Sequence, residues 1–463
     1  MSRNPMSLFR ISSKGYYYKI SLSVSLVTIF IITDILLSNI SPASIPVDNF
    51  IHSNTGITLF ILFFIISAAA QIATLNYTKK NGEKLWLSKL HLRQIHTTVM
   101  IGQFILISFI FTIIFQIVFE GHYTVILLAL VTTISYALSF IVMTILAIRL
   151  FMWYLRKRDM VILIFSIGSF TAAFSAIATI GFSVFIFGMS PSHASIDTKT
   201  AFPVLIPGST EWLLYYFNSL FSIVSFIATW LGAALLLRHY SKKFAHNTYW
   251  IIVSAPLIYF LSQFINILHF YDPVIKSGLN ATFIAYQLVF SLNSTIGGIL
   301  FAIVFWTASK KLEHIATLKN YLTIAGFGFF LFFASGSATV VQIPYPPYGI
   351  QMVSIVGISS YLIFFGLYSS AVVISDDVKV RQTIRNSAME QSKLLGNISY
   401  AEMEHQITNH VVSVVKNISD KMVEESGVET NYADYDIKEQ ISQILEEIKK
   451  NTGASHSSNK FPT

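Results

Sequence analysis

Ten times along this chain, a run of about twenty residues passes with at most one charged side chain, and a helix of about 20 apolar residues is what a bilayer core about 30 Å thick requires. The runs cover 20–37, 56–75, 97–119, 123–148, 160–188, 212–237, 248–270, 282–306, 321–341 and 350–374. Asp34 is the one acid inside them, and no Lys or Arg lies within any run. In hydrocarbon every backbone N–H and C=O needs an internal partner, so such runs must be helical. Alternating segments of the kind that build a barrel are not seen. The expected fold class is therefore an all-α integral membrane protein with ten transmembrane helices.

Composition agrees with lipid as the solvent. The chain is 54% hydrophobic and 12% charged, against roughly 25% charged in an ordinary soluble domain. It contains no Cys. That removes disulfides, thiolate metal sites and Cys nucleophiles, and leaves the redox compartment open.

Charge between the runs sets the orientation. Arg3, Arg10, Lys14 and Lys19 precede the first run, and Lys79, Lys80, Lys84, Lys89 and Arg93 separate the second from the third. Arg149, Arg156, Lys157 and Arg158 follow the fourth, Arg238, Lys242 and Lys243 the sixth, and Lys310, Lys311 and Lys319 the eighth. The alternate loops carry only Lys199 and Lys276. Basic loops stay on the cytoplasmic side during insertion. Nineteen against two puts both termini in the cytoplasm and fits an even number of spans. The first run, with basic residues before it and "SPASIP" after it, has a cleaved signal as its alternative. It is longer than the 7–15 apolar residues of a usual signal.

Polar residues inside the runs gather in spans 6 to 8. Asn218, Gln263, Asn266, Gln287 and Asn293 lie there, with Pro256 the one proline inside a run. Two readings fit these amides: hydrogen bonds that join helices, or a pocket for a small neutral ligand. The near absence of intramembrane charge argues against a proton pump or voltage sensor. Ten spans also suit a transporter of two inverted halves, but no second broken helix matches Pro256.

No catalytic or cofactor signature stands out. His91, His96, His239, His246 and His314 fall on cytoplasmic loops or helix ends, and His52, His122, His193 and His269 at the outer face. No H-E-x-x-H spacing is present. No metal site, haem or other cofactor is expected. Outside, Asn280 heads the sequon Asn280-Ala-Thr282 and is the better glycosylation candidate than Asn39, which lies close to lipid.

After Ile374 the composition changes. Residues 375–463 carry ten basic and fourteen acidic side chains, while the N-terminus and inner loops carry nineteen basic side chains and three acids. An acidic tail is expected to dock under a basic floor. "SYAE" (Ser399 to Glu402) is a capping box, in which Ser takes a free helix N–H and Glu reaches back. Behind it, Met403, Ile407, Val411, Val414, Ile418 and Met422 form one apolar stripe at helical spacing, and Gly427 ends the helix. A further helix is expected over 436–450, and 451–463 has a disordered composition. The domains are thus 1–19, a cytoplasmic N-terminus; 20–374, the membrane part; 375–450, amphipathic cytoplasmic helices; and 451–463.

"EHQITNHVV" (404–412) resembles the phosphoacceptor box of sensor histidine kinases. His405 matches the phosphorylated His and Asn409 the Asn four positions on, and His410 stands where that box usually has Pro. The 58 residues after His405 hold no Gly-rich ATP-binding region, so this chain is not expected to act as a kinase by itself. As a whole the chain resembles archaeal polytopic membrane proteins of unassigned activity with short cytoplasmic helical tails. That resemblance implies no activity and no site.

The function expected is a non-enzymatic membrane sensor or scaffold that presents cytoplasmic helices to a partner. The second reading is a transporter or channel for a small neutral solute. Expected partners are the lipid bilayer and, through the tail stripe, a second copy or a cytoplasmic protein; a short coiled coil is one form of that contact. No nucleic acid is expected.

Overall fold

The computed structural model describes residues 27–37, 45–88, 90–189, 193–195, 208–240, 246–262, 292–311, 316–336, 348–376 and Glu402. The elements run α1 (Val27–Leu37), α2 (Ile45–His52), α3 (Asn54–Ser88), α4 (Leu90–Glu120), β1 (His122–Thr124), α5 (Val125–Lys157) and α6 (Met160–Met189). They continue with β2 (His193–Ser195), α7 (Thr210–Tyr240), α8 (His246–Ser262), α9 (Asn293–Lys311), α10 (Ala316–Gly336) and α11 (Ile350–Asp376).

Seven of these helices contain stretches long and apolar enough to cross a membrane: Asn54–Gly82, Leu92–Glu120, Val125–Lys157, Met160–Gly188, Trp212–Arg238, Thr317–Ser335 and Ile350–Val373. The architecture is that of an all-α, membrane-embedded bundle. The remaining expected spans correspond to α1, α8 and α9. As described, α1 and α8 are shorter apolar helices. The helix α9 has 19 residues but begins in polar Asn-Ser-Thr and ends in Ser-Lys-Lys.

The bundle is built around its last helix. Only 39% of the apolar window of Leu92–Glu120 is buried, and 50% of that of Val125–Lys157, but the window of Ile350–Val373 is 100% buried. Large apolar side chains such as Phe119, Ile126, Ile251 and Ile258 point outward and exposed, as a surface facing lipid tails must. The enclosed α11 instead packs against α3, α4, α5 and α10.

Close approach to α10 depends on two glycines. A Cβ at Gly366 would lie 2.6 Å from both Ala325 N and Tyr321 O, and one at Gly328 would lie 2.6 Å from Ile363 N. Small residues let helix backbones meet in lipid, where van der Waals packing replaces the hydrophobic drive between helices. The "AGFGFF" stretch of α10 supplies Gly328, and α11 supplies Gly366.

The charged stretch "RKRD" makes the tight turn between α5 and α6. Arg158 takes a left-handed φ of 51° and its N–H bonds Tyr154 O at 2.6 Å, ending α5. Asp159 Oδ1 then accepts the Val161 N–H at 2.7 Å, starting α6 as an N-cap. At the other end of the bundle a feature absent from the sequence reading appears. β1 pairs antiparallel with β2, with Tyr123 opposite Ala194, and ties the α4–α5 turn to the loop after α6.

Candidate functional site

A seam of buried polar groups runs along the first half of α11, from Gly349 to Tyr361, and bonds it to its neighbours. At the N-terminal end of α11, Gly349 takes a φ of 88°. The first N–H groups of a helix lack intrahelical partners. Here they are met by Asp34 of α1, which is buried. Asp34 Oδ1 accepts the Gly349 N–H at 2.7 Å and Oδ2 the Met352 N–H at 3.3 Å. The carboxylate thus sits where the positive end of the helix dipole favours it. Beside it, Tyr348 donates its hydroxyl to Gly56 O at 3.1 Å. Burial, and secondarily the charge of Asp34, push the Tyr348 phenol up to about 12, so it remains a donor.

One turn inward lies a cluster of amides and hydroxyls from α3, α4 and α11. Gln71 Nε2 donates to Ser67 Oγ at 3.2 Å, and Gln103 Nε2 donates to Ser354 O at 3.3 Å. Gln103 also donates to Gln71 Oε1, and Gln351 donates to Ser67 Oγ. All of these side chains are buried. Gln103 Oε1 and Gln351 Oε1 have no hydrogen-bond partner among the described residues.

The seam continues inward through α5. Ser135 Oγ donates to Val353 O at 2.5 Å and receives the Gly357 N–H at 3.3 Å. Ser139 Oγ and Ser360 Oγ share a hydrogen bond of 2.7 Å. His96 of α4 lies 2.8 Å from the Tyr361 hydroxyl through Nδ1, and both are buried. The sequence places His96 at a helix end. The structure puts it inside α4, against the central helix.

An apolar cleft flanks the seam between α1, α3, α10 and α11, about 520 Å³ counting its open mouth. Val27, Tyr77, Phe327 and Ile358 are among its walls, and Gln71 and Thr74 are its polar points. A smaller cleft between α3 and α4 touches Gln103. The hydrogen bond between Gln71 and Gln103 links the two.

The five amides singled out from sequence fall differently. Asn218 is buried and joins α7 to α6, its Oδ1 accepting from Ser175 Oγ at 2.7 Å and Thr179 Oγ1 at 3.2 Å. Asn293 is buried at the start of α9. Neither lines the clefts just described. Gln263, Asn266 and Gln287 lie outside the described residues, as do Asn280 and the tail stripe Met403, Ile407, Val411, Val414, Ile418 and Met422.

The sequence reading missed Gln71, Gln103 and Gln351 as a group. One signal was available. The run 350–374 carries Gln351, Ser354, Ser359, Ser360, Ser369 and Ser370 on every side of a helix, a pattern suited to an enclosed helix rather than one facing lipid.

Among the described residues, no three His, Asp or Glu side chains gather as a metal site requires. The arrangement holds a helix in place and offers buried hydrogen-bond acceptors. No family model, curated protein or solved structure matches the chain.

Proposed function

We propose that this protein is a ten-span membrane sensor or scaffold, with both termini cytoplasmic, that presents the helices of residues 375–450 to a partner. The observation that carries this reading is the position of α11. It is the helix that leads into the tail, it is enclosed on all sides, and its seam bonds it to α1, α3, α4 and α5. A shift of α3, α4, α5 or α10 therefore acts on it directly. Interfaces and packed cores have discrete arrangements rather than continuous ones, which lets a small shift become a change of state.

A transporter of a small neutral solute is the second reading. The spare acceptors of Gln103 and Gln351, next to clefts that Gln71 and Gln103 touch, favour it.

Removing residues 376–463 separates the two. As a sensor or scaffold, the truncated protein inserts normally but loses its effect in the native host. As a transporter, it keeps solute flux in vesicles, and that flux disappears in Gln103→Leu or Asn266→Ala. Flux that survives truncation overturns the sensor reading.

A further inference from the structure

The inner ends of α5 and α11 meet at an aromatic corner. Trp153 is 3% exposed and stacks on Tyr368, ring centroids 6.1 Å and planes 16° apart. Arg149, one turn earlier in α5, brings its guanidinium carbon 5.8 Å from the centre of the Tyr368 ring. An indole has one hydrogen-bonding group, an N–H that only donates. The acceptor for Trp153 does not come from the bundle. It is Glu402 Oε2, at 3.3 Å.

Glu402 lies 26 residues beyond Asp376, where α11 ends, and is 1% exposed. Carboxylates are not buried without compensation. This one is covered completely in a corner that supplies an N–H and holds a guanidinium on the same aromatic pair. Charge complementarity points the same way over a longer range. The inner loops and N-terminus are strongly basic, and residues 375–463 carry more acids than bases.

We infer that Arg149, Trp153 and Tyr368 form a docking seat for the protein's own tail, recognised through the carboxylate of Glu402. The chain leaves the bundle at the end of α11 and returns to the same corner. The apolar stripe of the tail starts at the next residue, Met403. Seating therefore holds the start of the stripe against the bundle, and release frees it for a second copy or another protein. Tyr368 belongs to α11, so a rotation of that helix moves the ring on which Trp153 rests. The seat stands on the contact itself. Only the meaning given to release rests on the sensor reading.

Hydrogen exchange on the full chain in lipid nanodiscs tests it. Trp153→Phe keeps a ring against Tyr368 and removes the N–H. Glu402→Gln keeps the shape and removes the charge. In the wild type, the segment around Glu402 is expected to be protected. Trp153→Phe should raise exchange there roughly ten-fold or more, in line with losing one hydrogen bond to a charged group, and Glu402→Gln, whose amide oxygen still accepts the indole N–H, should raise it by less. The double variant should do little more than Trp153→Phe alone, because without the N–H the acceptor has nothing to receive. If Trp153→Phe does not fold, Glu402→Gln, which changes one tail side chain, carries the test alone. Equal exchange in wild type and Glu402→Gln overturns the seat. Protection lost when each nanodisc holds a single copy also overturns it, because the occupant is then another chain's tail. The outcome is separable from the proposed function. Loss of host phenotype on truncation, with unchanged exchange in the variants, removes the seat and leaves the sensor.

Discussion

Asp34 and Gly349 are 315 residues apart in the sequence and 2.7 Å apart across a hydrogen bond, carboxylate to backbone N–H. The contact fixes the N-terminal end of the enclosed helix α11 to α1. With Met352 as the second donor, a buried acid satisfies two N–H groups that the helix cannot satisfy itself.

Replacing Asp34 separates its charge from its shape. Asp34→Asn keeps one acceptor oxygen but turns an NH2 toward the second N–H, and is expected to cost about 1 kcal/mol, since the one unpaired donor is partly offset by no longer burying a charge. Asp34→Leu leaves both N–H groups unpaired and is expected to cost about 2–3 kcal/mol. Thermal unfolding in one detergent, read on both variants, checks the order. Equal losses would mean that the hydrogen bonds contribute nothing.

The glycines of the α10–α11 contact give a second expectation. A methyl at Gly366 meets backbone atoms of Ala325 and Tyr321 at 2.6 Å, which cannot move aside as a side chain can. Gly366→Ala should therefore destabilise by about 1–3 kcal/mol, the range for overpacking a core. Gly188 of α6 has nothing within 4 Å of its added Cβ, so Gly188→Ala should be neutral or stabilising by up to about 1 kcal/mol. Melting temperatures of the two variants, measured side by side, decide this.

Much of this architecture was legible in the sequence. Lipid leaves the backbone no option but helices, so runs such as 160–188 and 350–374 define themselves. Asp34 was visible as a lone acid near the end of a span, but its role was not, because its partners lie more than 300 residues on. The cluster of Gln71, Gln103 and Gln351 was hidden for the same reason. Each is one amide in a different apolar run, and periodicity within a run does not say which runs touch. The density of amides in spans 6 to 8 drew attention there instead, and Asn218 proves to be a bond between adjacent helices.

Asn218 should accordingly act as a joint. Asn218→Ala removes its bonds to Ser175 and Thr179 and is expected to cost about 1 kcal/mol, the scale of an interhelical hydrogen bond in lipid. Solute flux in vesicles and tail exchange should not change. An effect on either one without a loss of stability would give Asn218 a role beyond packing.

The tail stripe gives a test independent of the bundle. A fragment of residues 376–450 is expected to be largely helical and to self-associate, because released Met403, Ile407, Val411, Val414, Ile418 and Met422 have nothing else to bury. Ile407→Asp together with Val414→Asp places unpaired charges in that seam, and should abolish association at a cost of several kcal/mol. Sedimentation of the two fragments reads the result. A monomeric, unfolded wild-type fragment would remove the stripe as an interface.

The central claim is that α11 carries a change in the bundle to the tail. Its 27 residues span roughly 40 Å at 1.5 Å per residue, so its two ends are well separated. The most direct measurement is hydrogen exchange over residues 376–463 in the full chain in nanodiscs, comparing wild type with Asp34→Asn, which alters only the N-terminal end of α11. The account predicts that exchange in the tail changes together with exchange at the start of α11. Altered exchange near Gly349 and Met352, with a tail that exchanges as in the wild type, would contradict it.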